Sequence, residues 1–242
     1  MSVLIISDIH ANLTALEAVI AAAGKVDAVW CLGDLVGYGP DPNECINLIR
    51  SLPNLICLMG NHDAAAIGNL DLAAFNRDAS LSARWMQNAL SPSNLQFLHS
   101  LPEKVIVEQV TLTHGSPRNP VWEYILDTYA AAQNFNYFET QLCFVGHTHL
   151  PVAYIQNETS QMLDWKMPRM GHPLDLSGRA ILNPGSVGQP RDHDPRAAYA
   201  IFSPESNKWE PFRVDYDVSS VQQRIYSAGL PHRHALRLVE GW

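Results

Sequence analysis

Short apolar runs that alternate with helical patterns constrain this chain more than any other feature. Residues 3–6, 28–32 and 55–59 are apolar runs that predict buried strands, and each is followed closely by Asp, Gly or Asn. Helical periodicity separates the three runs. Such a β-α-β-α-β order predicts an α/β fold with a largely parallel sheet covered on both faces. Functional sites of open sheets gather at the carboxyl ends of the strands, so we expect the site there.

The two helices between these strands have sequence signals at their ends. Asn12 predicts the start of the first helix and Gly24 its end. Asp41 stands before Pro42, and Glu44 follows Asp41 by three residues. This spacing predicts a capping box at the start of the second helix.

The remaining chain predicts more strands and a few insertions within a single domain spanning residues 1–242. Insertions are expected over about 64–102, 117–139 and 156–178, the first of them helical. The third is expected to form an irregular excursion or hairpin. It contains Trp165 and Met167, for which core packing is preferred over the alternative of a homodimer interface. Further strands and a final helix are predicted at residues 105–107, 110–113, 142–145, 180–182, 198–202, 209–214 and 218–228.

Composition excludes several classes of protein. Of 242 residues, 47% are apolar, so the chain can bury one sizeable core and is not wholly disordered. No apolar run approaches the roughly 20 residues that span a bilayer, and the N-terminus lacks a signal-peptide pattern. With four cysteines in no metal-binding spacing, the expected location is the cytoplasm. A net charge of −8 argues against nucleic acid as a partner.

Five polar clusters follow the apolar runs and carry the chemistry of this sequence. Each contains side chains of types that bind metal ions, and all stand at predicted strand ends, where they would meet on one edge of the sheet. The clusters are Asp8-Ile9-His10, Gly33-Asp34, Gly60-Asn61-His62-Asp63, Thr113-His114-Gly115 and Gly146-His147-Thr148-His149.

The donor types in these clusters indicate a hydrolytic metal centre. Carboxylate, imidazole and amide oxygen without thiolate suit manganese, iron, zinc or nickel rather than a structural zinc finger. The donors are also too many for one ion. They suit two ions about 3.5–4 Å apart with a bridging carboxylate, as used for in-line displacement at phosphorus. The seven candidate ligands are Asp8, His10, Asp34, Asn61, His114, His147 and His149.

The five clusters, in this order, resemble the calcineurin-like metallophosphoesterases, and residues 182–186 are similar to a segment of the small prokaryotic members. The resemblance implies a four-layer α/β/β/α sandwich of two mixed sheets. It also implies two divalent ions, with manganese expected and iron, zinc, nickel or cobalt as alternatives. One ion would bind Asp8, His10, Asp34 and His149, and the other Asp34, Asn61, His114 and His147.

The same resemblance implies a phosphoesterase acting on a small phosphorylated substrate. His62 would be the general acid or the group that positions phosphate, and Asp63 would orient it. The expected reaction is in-line attack on a phosphodiester or phosphomonoester by a hydroxide that bridges the two ions. The alternatives are hydrolysis of a dinucleoside polyphosphate or other pyrophosphate, or a metal-binding scaffold without catalysis.

One departure from the family concerns how phosphate is held. Phosphoprotein phosphatases of the family carry Asp-Arg after the Gly-Asp cluster, whereas Leu35 and Val36 stand here. The missing arginine argues against a protein substrate. Arg191, in a Gly- and Pro-containing loop, and Arg84, on the predicted insertion helix, are candidate replacements, since arginine binds phosphate bidentately. Tyr38 either lines the site or is a turn residue.

Overall fold

The computed structural model describes residues 1–157 and 163–242 and contains the predicted first strand, β1 (Val3–Ile6). Val3 and Ile5 face one apolar cluster, whereas Leu4 and Ile6 face another. Alternate side chains of a strand point to opposite faces of its sheet, so β1 is buried on both sides. A strand buried on both sides needs apolar residues at every position, which explains the continuous apolar run at residues 3–6.

Two six-stranded sheets form the centre of the fold. The first sheet is mixed: β1, β2 and β3 pair in parallel, whereas β11 lies antiparallel to β1, with Val3 opposite Phe202. The expectation of a largely parallel sheet therefore holds only for the first three strands. In spatial order the sheet contains β3 (Leu55–Cys57), β2 (Ala28–Cys31), β1, β11 (Ala197–Ser203), β12 (Lys208–Val214) and β9 (Leu174–Asp175).

The second sheet is also mixed. Its central strands β5, β6 and β10 pair in parallel, and the outer strands add in antiparallel fashion. In spatial order it contains β4 (Lys104–Val107), β5 (Val110–Thr113), β6 (Leu142–Phe144), β10 (Ala180–Pro184), β7 (Pro151–Gln156) and β8 (Leu163–Lys166).

Helices cover the outer faces of both sheets. Within the described residues the α-helices are α1 (Leu13–Ala23), α2 (Pro42–Arg50), α3 (Asn61–Ala66), α4 (Arg77–Ala89), α5 (Pro92–His99), α6 (Thr128–Asn134), α7 (Val218–Ser227) and α8 (His232–Glu240). None of them is long and apolar enough to cross a membrane.

Three apolar clusters define the layers. Trp30, Phe144 and Phe202 pack between the two sheets with ring centroids 5.3–6.2 Å apart. A second cluster joins the first sheet to α1, α2, α4 and α5, and a third joins the second sheet to α6. These contacts confirm the four-layer α/β/β/α sandwich.

The helix ends agree with the sequence signals at α1 and disagree at α2. The Asn12 side chain accepts the Ala15 N–H at 3.1 Å, and Gly24 ends α1 with φ 65°. At α2 the capping-box prediction is wrong. Asp41 precedes the helix, but its carboxylate accepts hydrogen bonds from the Arg224 guanidinium at 2.9 and 3.1 Å instead of capping.

The C-terminal region and the third expected insertion differ from the predictions made from the sequence. The helix predicted over 218–228 is not the final one, because α8 follows it and packs on α7 through an apolar cluster. Trp165 and Met167 are 57% and 63% exposed, so core packing is the wrong prediction for these two side chains. Of the expected 156–178 insertion, residues 158–162 lie outside the described part. The first expected insertion contains the end of α3 together with α4 and α5, and the second contains α6.

Candidate metal centre

Loops that follow the strands bring the seven candidate ligands together. Asp8 follows β1, Asp34 follows β2 and Asn61 follows β3, while His114 follows β5. His147 and His149 lie between β6 and β7. The strand-end clusters thus meet where the edges of the two sheets approach each other. All seven side chains are buried.

The backbone at five of these positions adopts the left-handed conformation. A non-glycine residue rarely has positive φ, because the side chain crowds its own carbonyl. Such residues cluster at functional sites, where the surrounding structure holds them in place. The five are Asp8 (φ 55°), His10 (φ 49°), Asp34 (φ 55°), His147 (φ 65°) and His149 (φ 62°).

The first group of donor atoms surrounds Asp8 Oδ1. His149 Nε2 lies 3.3 Å from this oxygen and His10 Nε2 lies 3.9 Å from it. The two imidazole nitrogens are 3.1 Å apart. Three donors this close to one another could hold one cation.

The second group surrounds His114 Nε2. Asp34 Oδ2 lies 3.4 Å from this nitrogen, Asn61 Oδ1 3.1 Å and His147 Nδ1 3.2 Å. Asp34 Oδ2 is also 3.7 Å from His10 Nε2, which belongs to the first group. Asp34 therefore stands between the groups, as a bridging carboxylate would.

The two carboxylates are oriented in the same way. Asp8 Oδ2 accepts the backbone N–H of His147 at 3.0 Å, and Asp34 Oδ1 accepts that of His62 at 2.8 Å. The second oxygen of each, Asp8 Oδ1 and Asp34 Oδ2, is buried and accepts no hydrogen bond from the described residues. Buried oxygens of this kind require a partner. Both point to the space that the histidine nitrogens face, and a cation there would satisfy them.

The four histidines that are candidate ligands are each fixed by a backbone carbonyl. A carbonyl only accepts, so the ring nitrogen beside it carries the proton and leaves the opposite nitrogen free to bind a metal, the usual arrangement around metal-binding histidines. The pairs are His10 Nδ1 with Val36 O (3.1 Å), His114 Nδ1 with Leu32 O (2.9 Å), His147 Nε2 with Trp122 O (3.1 Å) and His149 Nδ1 with Gln189 O (2.5 Å).

The charges of the site also favour a cation. Burial is the largest influence on Asp34 and opposes its ionisation, but the charges of His114, His62 and His10 together outweigh burial, and the pKa of Asp34 lies well below its ordinary value. Burial likewise favours neutral His114, yet Asp34 raises the pKa of this imidazole to about 9. Burial lowers the pKa of His10, His147 and His149, which keeps them in the neutral, metal-binding form. Positive charge is thus favoured beside Asp34, where a divalent ion would replace the proton. The residues fit two divalent ions.

His62 stands at the edge of both groups, and Asp63 does not touch its ring. Together with His10 and Asp34, His62 forms a third cluster of close donor atoms. Its Nδ1 is buried with no hydrogen-bond partner among the described side chains and backbone. Asp63 instead accepts three backbone N–H groups, from Asp34 (2.8 Å), Gly60 (3.0 Å) and Val36 (3.1 Å). The expected role of Asp63 in orienting His62 is therefore wrong, since both carboxylate oxygens are used to hold the loops.

Tyr38 lines the site rather than only filling a turn. Its ring lies 4.4 Å from that of His62 and 4.5 Å from that of His10, centroid to centroid. Arg191 Nη2 is 3.4 Å from the Tyr38 hydroxyl and 3.3 Å from Gln189 Oε1. Arg191 is thus brought to the site. Arg84 is exposed on α4, and the contact described for it is local, its carbonyl accepting from Asn88.

Helix α8 adds residues that the sequence analysis did not place near the site. His234 is buried, with its ring 4.8 Å from that of Tyr38, and Arg237 shares a small cavity with both. Arg237 Nε is buried without a hydrogen-bond partner in the described structure. The signal was present in the sequence, because Ala235 and Leu238 form an apolar stripe. It follows Pro231, the residue that precedes the helix.

Comparison with known proteins identifies the family of this chain. The model of the calcineurin-like phosphoesterase superfamily domain matches residues 1–207. The chain belongs to this family. It is 50% identical to a metallophosphoesterase from Sphaerobacter thermophilus whose crystal structure is known. The match covers 100% of this chain and 99% of that one, with a TM-score of 0.92.

Two further relatives differ in how much of this chain they match. An uncharacterized protein of Methanocaldococcus jannaschii is 38% identical and covers 98% of this chain and 97% of its own. A symmetrical bis(5'-nucleosyl)-tetraphosphatase from Pectobacterium carotovorum is 36% identical over 67 residues, which is 26% of this chain and 24% of that protein.

Proposed function

We propose that this phosphoesterase hydrolyses a phosphodiester or phosphomonoester of a small substrate at a centre of two divalent ions. The observation that carries the proposal is the position of Asp34, whose Oδ2 lies between two groups of metal-binding donors. One ion would bind Asp8, His10, Asp34 and His149. The other would bind Asp34 together with Asn61, His114 and His147.

The two ions, manganese in the first instance, would supply charge stabilisation for the phosphoryl oxygens and a water-derived nucleophile near neutral pH. The chain supplies the positioning. Because the ligand side chains are oriented by backbone groups, the donors need little rearrangement when the ions bind. The same rigidity would hold a phosphoryl group in one orientation for in-line displacement.

His62 would protonate the leaving oxygen or position the phosphoryl group. Burial lowers the pKa of His62 to about 4, so the ring is neutral at pH 7. A phosphoryl group beside the ring favours its protonated form and opposes that effect. The unpartnered Nδ1 and the ring contacts with Tyr38 and Phe75 support a position facing substrate.

Arg191 would bind a phosphoryl oxygen in place of the arginine that protein phosphatases of the family have. No carboxylate lies within ion-pair distance of its guanidinium in the described residues, and Nε is buried without a partner. Tyr38 supports the side chain through its hydroxyl and its ring face, with the guanidinium carbon 5.9 Å from the ring centroid. An arginine held this way suits an anion.

A second candidate function is hydrolysis of a dinucleoside polyphosphate or another pyrophosphate. It is supported by the 67-residue match to a symmetrical bis(5'-nucleosyl)-tetraphosphatase. It is also supported by Arg237, which lines a small cavity with Tyr38, the residue that Arg191 also contacts. Burial and the charge of Arg191 lower the pKa of Arg237, so two cationic groups share this region. A substrate with a second phosphate would neutralise both.

An activity panel tests the proposal. Phosphomonoesters, phosphodiesters and pyrophosphates would be assayed with the protein loaded with manganese, nickel, cobalt, zinc or magnesium. Metal-dependent hydrolysis of the esters supports the first candidate, and preference for pyrophosphates supports the second. A protein that binds two ions per chain and hydrolyses no member of the panel would instead be a metal-binding scaffold.

The cellular location and the binding partner of the protein are also proposals. We propose a cytoplasmic location, which is supported by four buried free cysteines, typical of reducing compartments. We also propose a small phosphorylated molecule as the partner rather than nucleic acid or a membrane.

A further inference from the structure

An apolar cavity of about 320 Å³ lies beside the candidate metal centre, and we call it the Thr148 cavity after one of its wall residues. Thr148 stands in the chain between His147 and His149. A second wall residue, Ile125, follows Tyr124, whose ring stacks on His147 with centroids 3.7 Å apart. Two segments of the chain therefore run directly from the metal centre into the cavity.

The inner wall and the rim of the Thr148 cavity are both apolar. Ile125, Val152 and Tyr154 form a buried inner wall. Large apolar side chains at the rim remain exposed to solvent: Leu126 is 61% exposed, Trp165 57% and Met167 63%. Covering such side chains with an apolar ligand is favourable, since binding removes their surface from water.

Three polar side chains of the lining already have hydrogen-bond partners. The carboxylate of Asp127 accepts the Ala130 N–H at 2.7 Å, at the start of α6. Thr148 Oγ1 accepts a hydrogen bond from Asn183 Nδ2 at 3.0 Å, and the Tyr154 hydroxyl donates to Ile125 O at 3.4 Å. The lining therefore offers an apolar ligand little unsatisfied polar surface.

We infer that the Thr148 cavity binds an aromatic or other planar apolar group of the substrate while the attached phosphoryl group occupies the metal centre. This inference rests on the proposed function and narrows the substrate to phosphoesters that carry such a group. The volume is sufficient, because an apolar cavity of about 150 Å³ already accepts benzene.

A second copy of this chain is the other occupant to consider. A stable protein interface buries about 800 Å² on each partner. The exposed apolar side chains here instead border a concave space whose floor is buried, which suits a small ligand more than a flat interface. The oligomeric state is therefore an outcome of the test.

The test measures binding without turnover. The manganese-loaded full chain would be titrated calorimetrically with phenylphosphonate and with methylphosphonate, whose carbon–phosphorus bonds are not ester bonds. Both present the same phosphoryl oxygens, so the ratio of their dissociation constants reports the apolar group alone. We expect phenylphosphonate to bind about tenfold more tightly, as burial of a ring predicts.

A variant at the rim assigns the preference to the cavity. Trp165→Ala should remove most of the tenfold ratio and leave methylphosphonate binding unchanged, and Trp165→Phe should restore part of it. Tyr129→Ala is the matched control, because Tyr129 is a 74% exposed aromatic residue on α6 that does not line the cavity. Both positions are exposed, so neither change should unfold the protein.

The outcomes separate this inference from the function on which it rests. If methylphosphonate binds and phenylphosphonate has no advantage, or if Trp165→Ala keeps the ratio, only the inference is overturned. If neither compound binds to the loaded protein, the proposed phosphoryl site fails as well. If the wild type sediments as a dimer that Trp165→Ala converts to a monomer, the cavity face belongs to a second copy and the inference is overturned.

Discussion

Asp63 holds Asp34 through the backbone: Asp63 Oδ2 accepts the Asp34 N–H at 2.8 Å. The same oxygen accepts the Gly60 N–H and Oδ1 accepts that of Val36, so one buried carboxylate joins the loops after β2 and β3. Gly60 approaches Asp34 so closely that an added Cβ would overlap the aspartate. The position of Asp34 between the two groups of donor atoms therefore depends on a residue that belongs to neither group.

Asp63→Asn should lower metal affinity and activity together. The amide keeps one acceptor oxygen but turns an NH₂ group toward a backbone donor, so Asp34 loses part of its support. Outer residues of metal sites typically contribute about 10- to 100-fold, and we expect a loss in that range. Metal content and kcat would be measured in parallel with Asp215→Asn, an exposed control. Unchanged metal affinity would contradict the positioning role.

Asp34→Asn should abolish metal-dependent hydrolysis. Loss of the shared carboxylate removes a ligand from both ions, so the effect should exceed the roughly 100-fold upper value for outer residues. Metal content by mass spectrometry should fall below two ions per chain, while the far-UV circular dichroism spectrum stays that of the wild type. Full occupancy with normal turnover of a chromogenic phosphodiester would rule out a bridge at Asp34.

His62→Ala should affect poor leaving groups more than good ones. Protonation of the leaving oxygen matters most when the departing alkoxide is basic, and general acid catalysis typically contributes about 10²- to 10⁴-fold. The measurement is kcat/KM across aryl and alkyl esters of increasing leaving-group pKa. An equal loss across the series would leave His62 with phosphate positioning only.

Arg191→Gln and Arg237→Gln separate the two candidate substrate classes. Charge-assisted hydrogen bonds to an anion are worth about 1.5–3 kcal/mol, so loss of Arg191 should raise KM about tenfold or more for every substrate. Loss of Arg237 should raise KM only for pyrophosphates, because a single phosphoryl group would not reach it. Arg84→Gln, on the exposed side of α4, is the control. Equal effects of Arg237→Gln on the KM values of esters and pyrophosphates would contradict a second phosphate-binding position at Arg237.

His234 should make the fold sensitive to acid. Burial lowers the pKa of His234 to about 4, against about 6.5 for an unfolded chain. The folded state therefore binds fewer protons, and the contribution of His234 to stability, complete above pH 6.5, declines as the pH falls toward 4. His234→Gln should reduce the loss of unfolding free energy between pH 7 and pH 5 in urea titrations. His99→Gln, exposed on α5, should show the wild-type loss.

Sequence reasoning reached the candidate ligands because each cluster ends an apolar run. A strand places its last residues at a sheet edge, so Asp8, Asp34 and His114 could be brought together without coordinates. The carbonyl oxygens that orient the histidines could not be predicted, because every residue has one and only the fold selects Val36 or Gln189. The function of Asp63 was missed for a similar reason, since its partners are backbone N–H groups.

The first sheet and the C-terminal helix show where local patterns were insufficient. Antiparallel pairing of β11 with β1 joins residues about 200 positions apart, and nothing in either strand specifies its neighbour. Helix α8 had an apolar stripe, but its position against Tyr38 depends on the packing of α7. The Thr148 cavity is formed by three separate segments of the chain, so no single sequence motif predicts it.

The left-handed backbone at five candidate ligands has a consequence for the thermodynamics of ion binding. The conformational penalty at these residues is met when the protein folds, by strands and loop hydrogen bonds that do not involve a metal. We therefore expect ion uptake to require little coupled ordering of the chain. Its heat-capacity change should be close to zero, and discrimination among metals should follow the fixed spacing of the donors, since the polypeptide has little freedom to adjust to ions of different radius.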